Sequence, residues 1–129
     1  LPAMRRAGGG TLIHIASVAG VVLHTVSGPA YTAAKSGVVA LSDSLNAEEG
    51  IHGLRSIAIC PGEVATPILD TRPHPPSPAE RALMLQPEDV AAAALFCAQL
   101  PPRACISRLV ITPTDNSAYR DQARAIAAG

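Results

Sequence analysis

The sequence has no tryptophan, one phenylalanine and two tyrosines, so aromatic residues make up only 2% of it. Its apolar mass must come from alanine, valine, isoleucine and leucine, which suits close packing of helices on a sheet. Charge is sparse too: 16% of the 129 residues are charged, ten basic against ten acidic, for a formal net charge of zero. Without a basic stripe or net positive charge, a surface for nucleic acid or for an acidic membrane is not expected. No uninterrupted apolar run approaches the roughly 20 residues of a membrane span. The first residues, Leu1 to Arg6, carry charge without the apolar stretch of a secretory leader. Cysteines are few, an odd number at wide spacing, and none forms a CxxC pair. Cys60, Cys97 and Cys105 therefore read as reduced, buried thiols of a cytosolic, that is cytoplasmic, protein. His14, His24, His52 and His74 are scattered with no partner at metal-ligand spacing, so no zinc site is expected. What is present is 48% hydrophobic, too apolar for disorder as a whole, and its length suits one small domain and not two.

Along the chain, residues 1–7 read as the last turns of a helix closed by Gly8-Gly9-Gly10. Thr11 to Ala16 is a β-branched apolar run of the kind buried on both faces of a sheet. Residues 17–28 read as loop, with Ser27 placed to cap a helix that Pro29 opens. That helix runs proline-free from Ala30 to about His52, with Ala34, Val38, Val39, Leu41 and Leu45 on one broad face, and Gly53 ends it. Leu54 to Cys60 is a second strand stopped by Pro61-Gly62. Residues 66–78 are dense in proline and exceed an ordinary connection. Brief and longer helices follow over residues 79–84 and 87–100, the second with an acidic first turn that complements its dipole. A third strand over 106–111 and a helix over 118–128 complete the pattern. Strand, helix, strand, helix, strand spells an α/β fold with a parallel sheet.

Tyr31 and Lys35 stand four residues apart on the expected long helix, so both side chains lie on one face. A phenol is a poor acid or base at neutral pH, but an ammonium beside it favours the phenolate and makes proton exchange usable. The alternative is a surface tyrosine beside a solvated lysine. Against it stands a count: nine of the ten basic residues are arginine, and the single lysine sits one turn after a tyrosine. Lysine differs from arginine in being compact, with rotatable donors, and that favours a chemical role. Ser17 follows the first strand directly, at the carboxyl end where open α/β sheets place ligands. Alone it could be an ordinary loop hydroxyl. Pro61-Gly62-Glu63-Val64-Ala65-Thr66 leaves the second strand at the same kind of place, where glycine admits close approach and Val64 and Thr66 offer donors to a flat amide. Alone it could be a common turn.

Taken in order, Thr11 to Gly20, Tyr31 to Lys35 and Pro61 to Thr66 resemble the carboxyl-terminal half of a short-chain dehydrogenase/reductase. The resemblance extends over nearly the whole chain, from Leu1–Arg6 as the end of a preceding helix to Leu109-Val110-Ile111-Thr112-Pro113 as the last strand. It implies part of a doubly wound, Rossmann-like parallel sheet and a Ser-Tyr-Lys site acting with NAD or NADP on a small alcohol or carbonyl substrate. Ser17 would hold the substrate oxygen, Tyr31 would exchange the proton, and Lys35 would meet the nicotinamide ribose and favour the Tyr31 phenolate. Pro61, Gly62, Val64 and Thr66 would border the nicotinamide, with Thr66 near its carboxamide. The proline-dense stretch would be the substrate lid. A homo-oligomer is implied for the complete protein.

Departures are equally informative. His14 stands where the family often has asparagine, and Ala16-Ser17 where it has two serines. No GxGxxG occurs, and Gly8-Gly9-Gly10 precedes a strand instead of following one. The expectation is that residues 1–129 are the carboxyl-terminal portion of one such domain, begun at Leu1 and not at a methionine, with the dinucleotide-binding half upstream. On that expectation the isolated piece neither binds NAD(P)H nor turns over. Two other readings remain: a non-catalytic relative used for binding or oligomerisation, and an epimerase or dehydratase, which the short tail after Ile111 disfavours.

Overall fold

Three parallel strands, β1 (Gly10–Ile15), β2 (Leu54–Pro61) and β3 (Arg108–Ile111), form one sheet in the order β1-β2-β3. The structure is a computed structural model that describes residues 1–23 and 27–128, the side chains of residues 118, 121–124 and 128 excepted. His24, part of the expected loop, lies outside the described residues. β1 pairs with β2 from Gly10↔Leu54 to Ile15↔Ile59, and β2 with β3 from Ala58↔Arg108 to Pro61↔Ile111. Parallel neighbours need crossover connections, and helices supply them: α2 (Gly28–Glu49) between β1 and β2, and α3 (Pro78–Leu83) with α4 (Pro87–Gln99) between β2 and β3. α1 (Pro2–Arg6) precedes the sheet and α5 (Ser117–Ala128) follows it. The α/β class read from the sequence is the one found.

β2 sets the layers. Its alternate residues Ala58 and Cys60 pack with Ala16 and with Val39 of α2, while Ile57 and Ile59 pack with Cys97 of α4. Each of those isoleucines is fully buried, which stabilises the fold by about 1.5–3 kcal/mol apiece. Burial also pushes the Cys60 and Cys97 thiols up from their ordinary range, so both stay protonated at neutral pH.

Several sequence readings are corrected here. β1 is an edge strand, half-buried along its length and with Ile15 52% exposed, not buried on both faces. β3 starts at Arg108 and not at 106, because Ile106 turns into the cluster beside Cys97 and only the Ser107 carbonyl meets the Ala58 amide first. Ser27 occupies the N-cap position of α2 but is itself in helical geometry, and its hydroxyl makes no capping bond. The inward stripe of α2 is Val39, Ser42, Asn46 and Glu49; Ala34 and Leu41 are exposed. The stripe stays buried because each polar member is partnered. Ser42 and Ser56 share a hydroxyl bond at 2.9 Å, the Asn46 amide brackets the Ser56 backbone with two bonds at 2.7 Å, and Glu49 pairs with Arg5 of α1. Cys105 is exposed, on the irregular segment before β3.

Arg55 is the exception on β2. Its guanidinium donates to Thr11 Oγ1 and to the carbonyls of Ala98, Leu100 and Ala104, each at 2.8 Å. Those carbonyls include the unsatisfied end of α4, where a cation also opposes the helix dipole. The Pro101-Pro102 stop is thereby fixed onto the sheet. Among the described residues no helix is long and apolar enough to cross a membrane.

Candidate active site

Because the strands are parallel, their carboxyl ends share one edge of the sheet, and the chemistry-bearing residues lie just beyond it. The Ala16 amide extends the ladder to the Ile59 carbonyl at 2.7 Å, so Ser17 leaves β1 from a fixed point. Ser17 caps the 3-10 turn Val18–Gly20, its Oγ accepting from the Ala19 amide at 3.2 Å. A hydroxyl oxygen that accepts keeps its own proton to donate, and Ser17 is 9% exposed.

That turn lies against α2 because residue 20 is glycine. A Cβ there would stand 2.7 Å from the Lys35 carbonyl oxygen and 3.2 Å from Val39 Cγ2, closer than a real side chain tolerates. Lys35 Nζ donates to the Ile15 carbonyl at 3.1 Å and stands 5.6 Å from the centre of the Tyr31 ring. One ammonium thus reaches both the strand end that carries Ser17 and the phenol one helical turn back, within cation–π range. One of its three hydrogens serves Ile15 and two remain. Tyr31 is 44% exposed, and its hydroxyl bonds to no described residue. The structure therefore gathers Ser17, Tyr31 and Lys35 around the end of β1.

The segment after β2 is held from two sides. Gly62 donates to the Ile111 carbonyl at 2.8 Å, and a Cβ on it would meet Pro113 Cδ at 3.2 Å. The glycine thus admits the β3 end, a neighbour within the chain. Pro61 is the last, buried residue of β2. Val64 forms a parallel bridge with Leu85, made by Leu85 N–H to the Glu63 carbonyl at 3.1 Å and Ala65 N–H to the Leu85 carbonyl at 2.8 Å. In such a bridge the middle residue directs its own amide to the opposite side, so the Val64 N–H faces away from Leu85. Thr66 is extended, at the N-cap of the 3-10 turn Pro67–Thr71, and its hydroxyl makes no capping bond. Both donors foreseen for a flat amide are thus left uncommitted among the described residues.

The proline-dense stretch is that 3-10 turn followed by coil and α3, which Ser77 and Glu80 open with a reciprocal capping box. Ser77 donates to the Glu80 carboxylate from hydroxyl and backbone, holding that carboxyl below its usual range. A cavity of about 400 Å3 opens among Glu63, Arg72, His74, Met84 and Asp115. It borders the 61–66 turn through Glu63 without reaching Ser17 or Tyr31. The importance of Gly20 and of the Ile15 carbonyl was not foreseen. The glycine's presence in the 11–20 motif was the only available signal.

Comparison with known proteins gives a consistent picture. The family described as short chain dehydrogenase matches residues 1–76. An uncharacterized oxidoreductase of Staphylococcus aureus is 32% identical over 113 residues, 88% of this chain and 46% of the relative. A short-chain dehydrogenase/reductase family oxidoreductase from Burkholderia thailandensis superposes with a TM-score of 0.80 at 30% identity, over 99% of this chain and 53% of that one. The closed form of serine dehydrogenase complexed with NADP+ gives 0.78 at 27% identity, over 91% and 49%. The chain thus spans about half the length of these relatives.

Proposed function

Because the chain belongs to the short-chain dehydrogenase family, we propose that Ser17, Tyr31 and Lys35 form the proton-transfer site of an oxidoreductase acting on an alcohol/carbonyl pair with NAD or NADP. The observation that carries this reading is the double reach of Lys35, to the Ile15 carbonyl and over the Tyr31 ring. The uncommitted Val64 amide and Thr66 hydroxyl fit the carboxamide of a nicotinamide, and the solved relative complexed with NADP+ supports that choice of cofactor. When bound, the nicotinamide supplies or accepts the hydride.

The chain's own residues manage the proton. Ser17, with its oxygen already accepting from Ala19, donates its hydrogen to the substrate oxygen and orients it. Tyr31 gives a proton to that oxygen in reduction and takes it in oxidation. Lys35, held at Ile15, offers its remaining hydrogens to a ribose and stabilises negative charge developing on the phenol. No glycine-rich diphosphate turn occurs in residues 1–129, so the proposal assigns the diphosphate to elements beyond these residues. Substrate choice belongs to the segment 66–85.

Replacing Tyr31 by phenylalanine removes the transferable proton and keeps the ring beneath Lys35. In the complete protein Tyr31→Phe is expected to lower turnover by at least about 100-fold, the low end for a general acid/base, with nucleotide affinity retained. Steady-state rates beside fluorescence titration with NADH and NADPH check this. A phenylalanine variant within a few-fold of the parent rate would remove Tyr31 from the role.

A further inference from the structure

Five prolines from Pro67 to Pro78 remove backbone donors from that stretch. Among the described residues its own backbone bonds are those of the 3-10 turn Pro67–Thr71, bounded by Leu69 N–H to Thr66 and Arg72 N–H to Leu69. Two arginines draw it together: Arg72 reaches Glu63 at 3.3 Å, and Arg81 spans more of the stretch. Arg81 of α3 donates to the Thr66 carbonyl at 3.3 Å and the Pro76 carbonyl at 3.2 Å, and pairs with Asp70 on the 3-10 turn. A planar guanidinium carries its donors on three separate nitrogens in fixed directions, so it spans acceptors too far apart for the single nitrogen of an ammonium. The base of the segment is closed separately by the Glu63–Leu85 and Ala65–Leu85 backbone bonds.

Thr66 is where the two closures meet. Its carbonyl takes both the Leu69 amide and Arg81, which fixes the peptide plane leaving the residue whose hydroxyl stays uncommitted. We propose that Arg81 is a positioning residue for the reaction: it sets Thr66, and through it the adjoining Val64 amide, where they meet the nicotinamide carboxamide, and makes segment 66–85 move as one piece. The inference rests on the functional reading above.

The test uses the complete protein with Arg81→Met and Arg81→Lys. Arg81→Met is expected to raise KM for the nicotinamide cofactor about tenfold, the scale of one charge-assisted hydrogen bond, with the pH profile of kcat unmoved. In cofactor-free protein it is expected to speed amide exchange at Ala65 and Leu85 relative to β2. Arg81→Lys keeps the Asp70 pair but loses the fork, so its KM is expected to stay several-fold above wild type. Full restoration of KM by lysine would show that charge alone matters and overturn the proposal, and this arm stands even where the methionine variant does not fold. Wild-type KM together with wild-type exchange in Arg81→Met would also overturn it, leaving the functional reading intact. A wild-type protein that binds no nicotinamide nucleotide would overturn both.

Discussion

Lys35 has two partners among the described residues, and their positions explain why arginine, used nine times elsewhere, is not used here. A wide fork at residue 35 cannot meet the Ile15 carbonyl and lie over the Tyr31 ring in the same way as a compact ammonium. Lys35→Arg is therefore expected to lose most activity and to weaken cofactor binding together, since one group would serve both ribose and phenol. Nucleotide titration and the pH–rate profile of the complete protein measure the two effects. If neither changes, Lys35 is only a surface charge. At this scale the placement of the candidate residues was legible where spacing carries meaning: Tyr31 and Lys35 by the helical turn between them, Ser17 by its place after a strand. Gly20 was opaque because its reason is a carbonyl fifteen residues along the chain. Gly62 was legible as a special position but for another cause, the β3 end pressed against it.

Among the elements, α2 shows best what hydropathy misses. Its apolar spacing points to a face that includes Ala34 and Leu41, whereas the buried face runs through Ser42, Asn46 and Glu49. Polar side chains bury there because β2 and α1 supply their partners, and those partners are remote in sequence. Glu49 is the extreme member, with a side chain 3% exposed. Hydrogen bonding to the Arg5 guanidinium holds its carboxyl below the usual value of 4.5. A lowered carboxyl stabilises the fold above its unfolded value and loses that contribution as pH falls through the folded one. Glu49→Gln is thus expected to lower the urea midpoint at pH 7, with the gap to wild type closing as pH falls from the unfolded carboxyl's value of about 4.5 through the lower folded one. A constant gap across that range would mean that packing, and not charge, holds α1 to α2. By contrast β2, α3 and α4 were legible almost to the residue, because a continuous apolar run, a capping serine and a proline stop are local signals.

As a whole, the 129 residues expose 8128 Å2, against about 6,400 Å2 for a folded monomer of this mass. The excess is on the order of 1,700 Å2, beyond the roughly 800 Å2 that one partner contributes to an ordinary interface. Much of it is apolar: Ile15 at the free edge of β1, Leu41 on α2, Val110 on β3, and Leu95 and Phe96 on α4 are each more than half exposed. An uncovered β-branched edge beside such patches pairs with other chains. These residues, produced by themselves, are expected to sediment as oligomers or aggregates at micromolar concentration. A stable monomer in sedimentation velocity would show that the edge is self-sufficient. That the strands run parallel was legible from the alternation of elements, and the resemblance's strand order places the 11–16 strand at an edge, as found.

The central strand has a consequence of its own. Ala58 and Cys60 look toward α2 while Ile57 and Ile59 look toward α4, so the two helical layers lean on opposite sides of a single backbone. A displacement on one side has no slack to vanish into and must be transmitted to the other. The strand that ends at Pro61 also delivers the turn bearing Val64 and Thr66. A change buried against α4 is therefore expected to shift the aim of that turn.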